Sequence, residues 1–150
     1  MKVTRTVDTT FHVRYAETDA MGIVHHASYL IWFEEGRSAY MRACGLPYSE
    51  VERNGYWFTV AEVNARFHTP ARYDERVIIR TRLAELRSRG LTFAYEVRRA
   101  TDDALLATGE TRHICVDRTG TVRRIPEALL AALRGEEQQL TIPIQARSSL

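Results

Sequence analysis

The sequence has few cysteines and no long apolar run. Only two of its 150 residues are cysteines, Cys44 and Cys115, and they lie in predicted elements of different kinds. A chain of this size needs no disulfide bond, so both are predicted to be reduced, packed thiols. No stretch approaches the roughly twenty apolar residues that span a bilayer, and residues 1–10 lack the apolar core of a secretory signal. A cytoplasmic protein without a membrane span is expected.

The sequence also lacks a block of like charge. Its 21 basic and 19 acidic residues are distributed along the whole chain, which gives a formal net charge of +2. This balance excludes a nucleic-acid-binding tail, and any basic site must be local. The length and the 45% apolar content suit one globular domain, predicted at residues 1–134. The remaining residues, 135–150, are predicted to be a tail that is frayed or docked on a neighbouring subunit.

The common motifs of hydrolases and nucleotide enzymes are absent. No Gly-x-Ser-x-Gly nucleophile elbow occurs, since the nearest segment, residues 36–40, lacks the second glycine. The five histidines form no His-Glu-x-x-His or similar group, so no metal site is predicted. Neither of the glycine-rich loops that bind dinucleotides or nucleotide phosphates occurs. No cofactor is expected.

Hydrophobic periodicity predicts one central helix and a series of strands. Apolar and small residues recur at helical spacing from Tyr29 to Ala43, with Ser28 or a neighbour as the cap and Gly45 and Pro47 as the stop. Period-two patterns predict strands at 7–15, 57–67, 77–83, 91–97 and 105–116, and a short helix at 126–133. Strands in succession after one helix favour a single antiparallel sheet wrapped around that helix. The predicted fold class is α+β.

Candidate chemistry is concentrated between the first strand and the central helix. One carboxylate, Asp19, and two imidazoles, His25 and His26, come just before the helix start. Backbone N–H groups at a helix N-terminus polarise a carbonyl, and a carboxylate across from them can attack it or activate a water. His26 is the predicted backbone donor. On spacing alone, Asp19 as a turn former and the histidines as half-exposed packing residues remain alternatives.

Residues 15–29, YAETDAMGIVHHASY, resemble the signature of the 4-hydroxybenzoyl-CoA thioesterase family of hotdog proteins, which includes the acyl-CoA thioesterase associated with the Tol-Pal system. The likeness continues through residues 44–47 and 64–74 and into the strand pair around Arg87, and it reaches about Leu133. It implies a hotdog fold, in which an antiparallel sheet wraps one long helix. It also implies an acyl-CoA thioesterase that releases free acid and CoA.

The resemblance assigns roles to the residues before the helix. Asp19 matches the family's catalytic carboxylate, acting as nucleophile or general base, and His26 matches the position whose N–H polarises the thioester carbonyl. His25 stands where the family often has tyrosine, so its side chain is only a candidate substrate contact. Thr59 and Val60, on a predicted strand, are further candidate substrate-binding residues.

A local basic turn is the candidate site for the CoA phosphates. Arg87, Ser88 and Arg89 lie between two predicted strands, and arginine and hydroxyl groups suit phosphate oxygens. The matching turn of the family lies near the nucleotide. The alternative is that these arginines are solvated hairpin charges. The family further implies dimers of hotdog units, commonly tetramers, with active sites that both subunits complete.

Two other functions remain open at this stage. One is a non-catalytic module that binds acyl-CoA or acyl carrier protein, and the other is a hotdog acyl-CoA hydratase. The other carboxylates have structural interpretations: Glu62 is predicted to be a paired strand residue, and Glu34 and Glu35 to be solvated or interface charges. Several aromatic residues favour a short or aromatic acyl group, and we expect pocket depth to depend on Trp32, Phe33, Tyr56, Trp57 and Phe58.

Overall fold

The computed structural model describes residues 5–135, which form five strands and three α-helices. The strands are β1 (Thr6–His12), β2 (Trp57–Phe67), β3 (Arg76–Leu86), β4 (Gly90–Arg99) and β5 (Leu105–Val116), and the helices are α1 (Ser28–Ala43), α2 (Tyr48–Arg53) and α3 (Glu127–Leu133). The strand order is β1-β3-β4-β5-β2, and every neighbouring pair is antiparallel. The predicted α+β class is confirmed. The predicted tail, except for Gly135, lies outside the described residues.

Helix α1 is the centre of the core because the sheet curves around it. Phe33 is fully buried and stacks on Tyr95 of β4, with ring centroids 4.4 Å apart. Gly36 lets the helix backbone approach β3: an added Cβ would collide with Thr81 Oγ1 and lie 2.9 Å from Ile79 Cγ2. A larger residue at position 36 would therefore force α1 and β3 apart.

The strand order corrects one part of the sequence interpretation. Strand β2 pairs with β5, from Trp57 opposite Val116 to Phe67 opposite Ala107, and does not neighbour β3. Residues 68–75 therefore connect β2, at one edge of the sheet, to β3, which lies next to the opposite edge strand β1. A bulge between Val60 and Glu62 interrupts the register. Strand β2 is left as an edge strand, with its outer side unpaired in the described part of the chain.

The structure adds to or differs from the sequence interpretation at three local points. The first strand ends at His12 rather than Tyr15, and Tyr15–Glu17 forms a short 3-10 helix. Of the predicted cap candidates, Ser28 or a neighbour, the neighbour Ala27 occupies the cap position without a side-chain hydrogen bond, and the Ser28 hydroxyl donates to the carbonyl oxygen of Glu17 at 3.2 Å. Helix α2 was not predicted, since its six residues are too few for a clear helical period.

Other predictions hold. Cys44 and Cys115 are buried free thiols. Glu62 forms an ion pair with Arg112 at 3.2 Å, as expected for a paired strand residue. Glu34 and Glu35 are exposed, as expected for solvated charges. Within residues 5–135, no helix has the length and apolar character needed to cross a membrane.

The loop between β1 and α1 is held by Glu17, a buried carboxylate that the sequence interpretation did not single out. Its carboxylate accepts hydrogen bonds from the Arg14 backbone N–H (2.8 Å), the Arg14 guanidinium (3.2 Å) and the Trp32 indole. Its carbonyl oxygen accepts from the His25 N–H at 2.8 Å. Burial acts to raise the pKa of Glu17, but the hydrogen bonds from Arg14 and Trp32 outweigh it, so its pKa lies below the ordinary value.

The lowered pKa of Glu17 predicts a pH-dependent contribution to stability. This contribution is present above the unfolded-state pKa of about 4.3 and is lost as the pH falls through the lower folded-state pKa. Glu17→Gln is expected to lower the free energy of unfolding at pH 7 by roughly 2 kcal/mol, because charged hydrogen bonds are lost. Urea titrations at several pH values should show this difference shrinking in acid.

Glu127→Gln is the matched control, because Glu127 is exposed and its ion pair with Arg134 spans 3.3 Å at the surface. It is expected to change stability by less than about 0.5 kcal/mol. A Glu17→Gln difference that stays constant from pH 7 to pH 3 would contradict the proposed role of the charge.

Candidate active site

Asp19 lies in a tight turn between β1 and α1. Its N–H donates to the carbonyl oxygen of Ile23, and its own carbonyl accepts from the Gly22 N–H, both at 2.9 Å. Gly22 has a φ of +79°, a conformation that favours glycine. Asp19 Oδ1 accepts from the Met21 N–H at 2.9 Å. Asp19 is thus a turn former, while its second carboxylate oxygen has no hydrogen-bond partner among the described residues and is open to a substrate or water.

His25 and His26 precede the first turn of α1. The two rings are stacked, with centroids 4.2 Å apart, and both residues are exposed. His25 Nδ1 accepts from the Ala27 N–H at 3.1 Å, so this side chain helps to satisfy the start of the helix. The His26 N–H has no acceptor within residues 5–135. A free N–H at a helix N-terminus is a ready donor to a carbonyl oxygen.

Asp19 and His26 line the same cavity, which has a volume of about 330 Å³. Its apolar walls include Tyr29 and Phe67, whose rings meet edge to face with centroids 5.0 Å apart. Tyr29 comes from α1 and Phe67 from the end of β2, so the cavity opens where the helix start meets the sheet edge. The structure therefore brings together the two residues, Asp19 and His26, that the sequence proposed.

The predicted phosphate-binding residues lie in a second cavity of about 510 Å³. Arg87, Ser88 and Arg89 form the turn between β3 and β4. The carbonyl oxygens of Ser88 and Arg89 accept from the N–H groups of Ile125 and Cys115, which fixes the turn against the rest of the domain. The Arg87 side chain is mostly exposed and pairs with Glu85, so it stays available to a ligand at the cost of a surface ion pair.

Thr59 and Val60 lie at the same end of the sheet as this turn. They pair with Ile114 and His113 of β5, and both of those residues line the second cavity. Phe67, at the other end of β2, lines the Asp19 cavity. Roughly 20 Å of extended strand separates Val60 from Phe67. One chain therefore keeps the predicted catalytic and phosphate-binding residues apart.

The aromatic residues expected to set the pocket depth do not line the Asp19 cavity. Trp32 and Phe33 are fully buried in the core, and the stretch 56–58 lies at the far end of β2. Tyr29 and Phe67 instead form the aromatic walls of the Asp19 cavity. Both belong to predicted periodic elements, the central helix and the strand at 57–67. Their meeting depends on the position of β2 beside α1, which no local pattern reveals.

The side chains of the cavity do not form a metal centre. Within residues 5–135, no three His, Cys, Asp or Glu residues are grouped closely enough to hold a metal ion. Glu17 is close to Asp19 in sequence, but its carboxylate already accepts hydrogen bonds from Arg14 and Trp32. The i,i+3 spacing of Arg14 and Glu17 is the sequence signal by which this positioning residue was recognisable.

Comparison with known proteins places the chain in a family. Residues 13–133 match the profile of the thioesterase-like superfamily. The acyl-CoA thioester hydrolase YbgC of Escherichia coli O157:H7 is 29% identical over 127 residues, which cover 85% of this chain and 92% of that protein.

Two solved structures share the fold. A hypothetical protein, TT1821 from Thermus thermophilus, is 46% identical with a TM-score of 0.80, covering 87% of this chain and 98% of that one. DHNA-CoA thioesterase from Staphylococcus aureus is 30% identical with a TM-score of 0.76, covering 79% and 80%. The hotdog fold and thioesterase family implied by the resemblance are confirmed, and this chain belongs to the thioesterase-like superfamily.

Proposed function

We propose that this protein hydrolyses the thioester of a short-chain or aromatic acyl-CoA to free acid and CoA. The observation that carries the proposal is the shared cavity of Asp19 and the free His26 N–H. A thioester carbonyl oxygen facing the helix start would accept from that N–H. The open oxygen of Asp19 would then lie on the side from which attack occurs.

The chemistry has two forms that use the same atoms. As a nucleophile, Asp19 adds to the thioester carbon, CoA leaves as its thiolate, and water hydrolyses the resulting anhydride. As a general base, Asp19 takes a proton from the water that attacks the carbon, and the C–S bond then breaks so that CoA again leaves as its thiolate. In both forms negative charge develops on the carbonyl oxygen, where the helix dipole and the His26 N–H stabilise it. Neither form uses a metal or a cofactor, and CoA enters only as part of the substrate.

We further propose that Arg87, Ser88 and Arg89 bind the phosphates of CoA, with Thr59 and Val60 beside the pantetheine arm. Arginine side chains bind phosphate oxygens through paired hydrogen bonds. The turn is anchored through its carbonyl oxygens, which keeps its side chains at the cavity mouth. Because these residues lie far from Asp19 in one chain, the proposal requires a second copy.

A homodimer that pairs two β2 strands supplies that second copy. Strand β2 is a long edge strand, and the apolar side chains Val60, Val63 and Phe67 are exposed along it. Exposed apolar edges favour strand pairing. Antiparallel pairing centred on Val63 sets Thr59 of one copy opposite Phe67 of the other. The phosphate-binding end of one chain then meets the Asp19 cavity of its neighbour, and two such dimers would form the expected tetramer.

A cytoplasmic location is part of the same proposal. Its support is the pair of buried free thiols, Cys44 and Cys115, which suit a reducing compartment.

Asp19→Asn is expected to lower kcat on a hydrolysed acyl-CoA at least about a hundredfold, because the side chain loses its charge and basicity. The amide oxygen can still accept from the Met21 N–H, so the turn should persist. Release of free thiol from a panel of short, long and aromatic acyl-CoAs measures the effect. Asp103→Asn, at an exposed turn, is the control. An Asp19→Asn protein with native kcat would contradict the assignment.

Replacing both Arg87 and Arg89 by Gln is expected to raise KM for acyl-CoA by roughly tenfold, since about one to two charged hydrogen bonds are lost, with little change in kcat. The matching acyl-pantetheine, which has no nucleotide phosphates, should be hydrolysed equally by both proteins. Arg82→Gln, on β3 away from the turn, provides a control. If the double variant lost the same activity on acyl-CoA and on acyl-pantetheine, the arginines would not act through the nucleotide phosphates.

Val63→Asp is expected to convert the dimer into monomers, because it places two carboxylates at the centre of the proposed β2 pairing. Sedimentation analysis measures the oligomeric state, and acyl-CoA hydrolysis should fall with it. Thr10→Asp, on the opposite edge strand β1, should leave the dimer intact. A Val63→Asp protein that stays dimeric would show that another surface forms the interface.

A further inference from the structure

The N–H groups at the start of α1 differ in their partners, although they follow one another along the chain. The Ala27 N–H donates to His25 Nδ1 at 3.1 Å, and the Ser28 N–H donates to the His25 carbonyl oxygen at 2.9 Å. Within the described part of the chain, the His26 N–H has no acceptor. A helix ordinarily begins with several unpaired N–H groups. Here His25 takes those of Ala27 and Ser28 and leaves that of His26 free.

The backbone of His25 is held on both sides of its Cα. Its N–H donates to the carbonyl oxygen of Glu17 at 2.8 Å, and its carbonyl oxygen accepts from Ser28. In a planar trans peptide unit the C=O and the N–H point in opposite directions. The bond from Ser28 to the His25 carbonyl therefore directs the N–H of the same peptide unit, which is that of His26, away from Ser28.

The His25 side chain holds the next peptide unit. Its Nδ1 bond to the Ala27 N–H fixes the peptide between His26 and Ala27, and its ring stacks on the His26 ring with centroids 4.2 Å apart. Because Nδ1 accepts a hydrogen bond, the proton of the neutral ring is on Nε2. Among the described residues, His26 lines the Asp19 cavity and His25 does not. The His25 imidazole thus reaches the cavity only through the backbone that it holds.

We propose that His25 is a positioning residue for thioester hydrolysis: its imidazole fixes the peptide beside the His26 N–H, so that this donor meets the thioester carbonyl already aligned. The inference deepens the proposed function and rests on it. A donor that is aligned before the substrate binds needs no reorganisation when negative charge develops on the carbonyl oxygen. Without the Nδ1 acceptor, the Ala27 N–H would bind water and the adjoining His26 N–H would lose its fixed direction.

Two substitutions separate the acceptor atom from the ring. His25→Asn keeps an acceptor, because an asparagine side-chain oxygen can accept from the N–H two residues further along the chain. His25→Phe keeps a ring that can stack on His26 but removes the acceptor. On a hydrolysed acyl-CoA, His25→Phe is expected to lower kcat roughly tenfold with KM near the native value, because alignment matters most in the transition state. His25→Asn should keep kcat within about twofold of native.

Two further measurements report on the hydrogen bonds themselves. The Ala27 amide should exchange its hydrogen at least about tenfold faster in His25→Phe than in the native protein or in His25→Asn. In infrared spectra of benzoyl-CoA bound to Asp19→Asn, the thioester carbonyl band should lie below that of free benzoyl-CoA. Adding His25→Phe should move this band back towards the free value, and adding His25→Asn should not. A loss of stability alone would not move the band.

His12→Phe is the matched control, because His12 is an exposed histidine at the end of β1. It should hydrolyse acyl-CoA like the native protein. If His25→Phe also does so, the Nδ1 acceptor is not needed and the inference is wrong. If His25→Asn loses as much activity as His25→Phe and both raise KM, the ring contacts the substrate directly, which also overturns the inference. In both cases the thioesterase function stands. If the native protein hydrolyses no acyl-CoA of the panel, the proposed function fails and the positioning role fails with it.

Discussion

The hydrogen bonds of Glu17 are the constraint on which the candidate active site depends. One carboxylate ties the Arg14 backbone to the Trp32 indole in α1, and the carbonyl of the same residue holds both the His25 N–H and the Ser28 hydroxyl. These hydrogen bonds help to hold the first helical turn against the Asp19 loop, together with the bond from the Val24 N–H to the Ala71 carbonyl oxygen. Because Trp32 is buried in the core, its hydrogen bond to Glu17 fixes the loop between β1 and α1 to the helix.

The predicted site residues are divided between the two ends of β2, and this division is the chemical reason for the proposed dimer. A monomer holds the predicted catalytic and phosphate-binding residues in two separate cavities. An edge strand with exposed apolar side chains is normally a liability that proteins cover or interrupt. In the proposed dimer the same strand joins the catalytic end of one chain to the phosphate-binding end of the other.

The sequence predicted the parts of this structure that are encoded locally. The period of α1 and the alternation of β3, β4 and β5 follow from neighbouring residues. It also pointed to Asp19 and His26, because a carboxylate before a helix start is a local pattern whose meaning the family resemblance supplied. The pairing of β2 with β5 and the meeting of Tyr29 with Phe67 depend on tertiary packing. The role of Glu17 was missed because Trp32, one of its partners, lies on the next element, and the i,i+3 spacing from Arg14 alone does not show that Glu17 is buried.

The position of β2 also affects the order in which the chain can fold. Strands β3, β4 and β5 are joined by short turns, so each can pair as soon as its neighbour exists. Strand β2 precedes all three, yet its partner is β5, and this pairing closes a long loop that contains β3 and β4. During synthesis β2 therefore leaves the ribosome with neither edge satisfied and must wait for most of the domain to follow. The strand that forms the proposed subunit contact thus emerges well before its partner, and its charged residues Glu62 and Arg66 are of the kind that opposes wrong strand pairing.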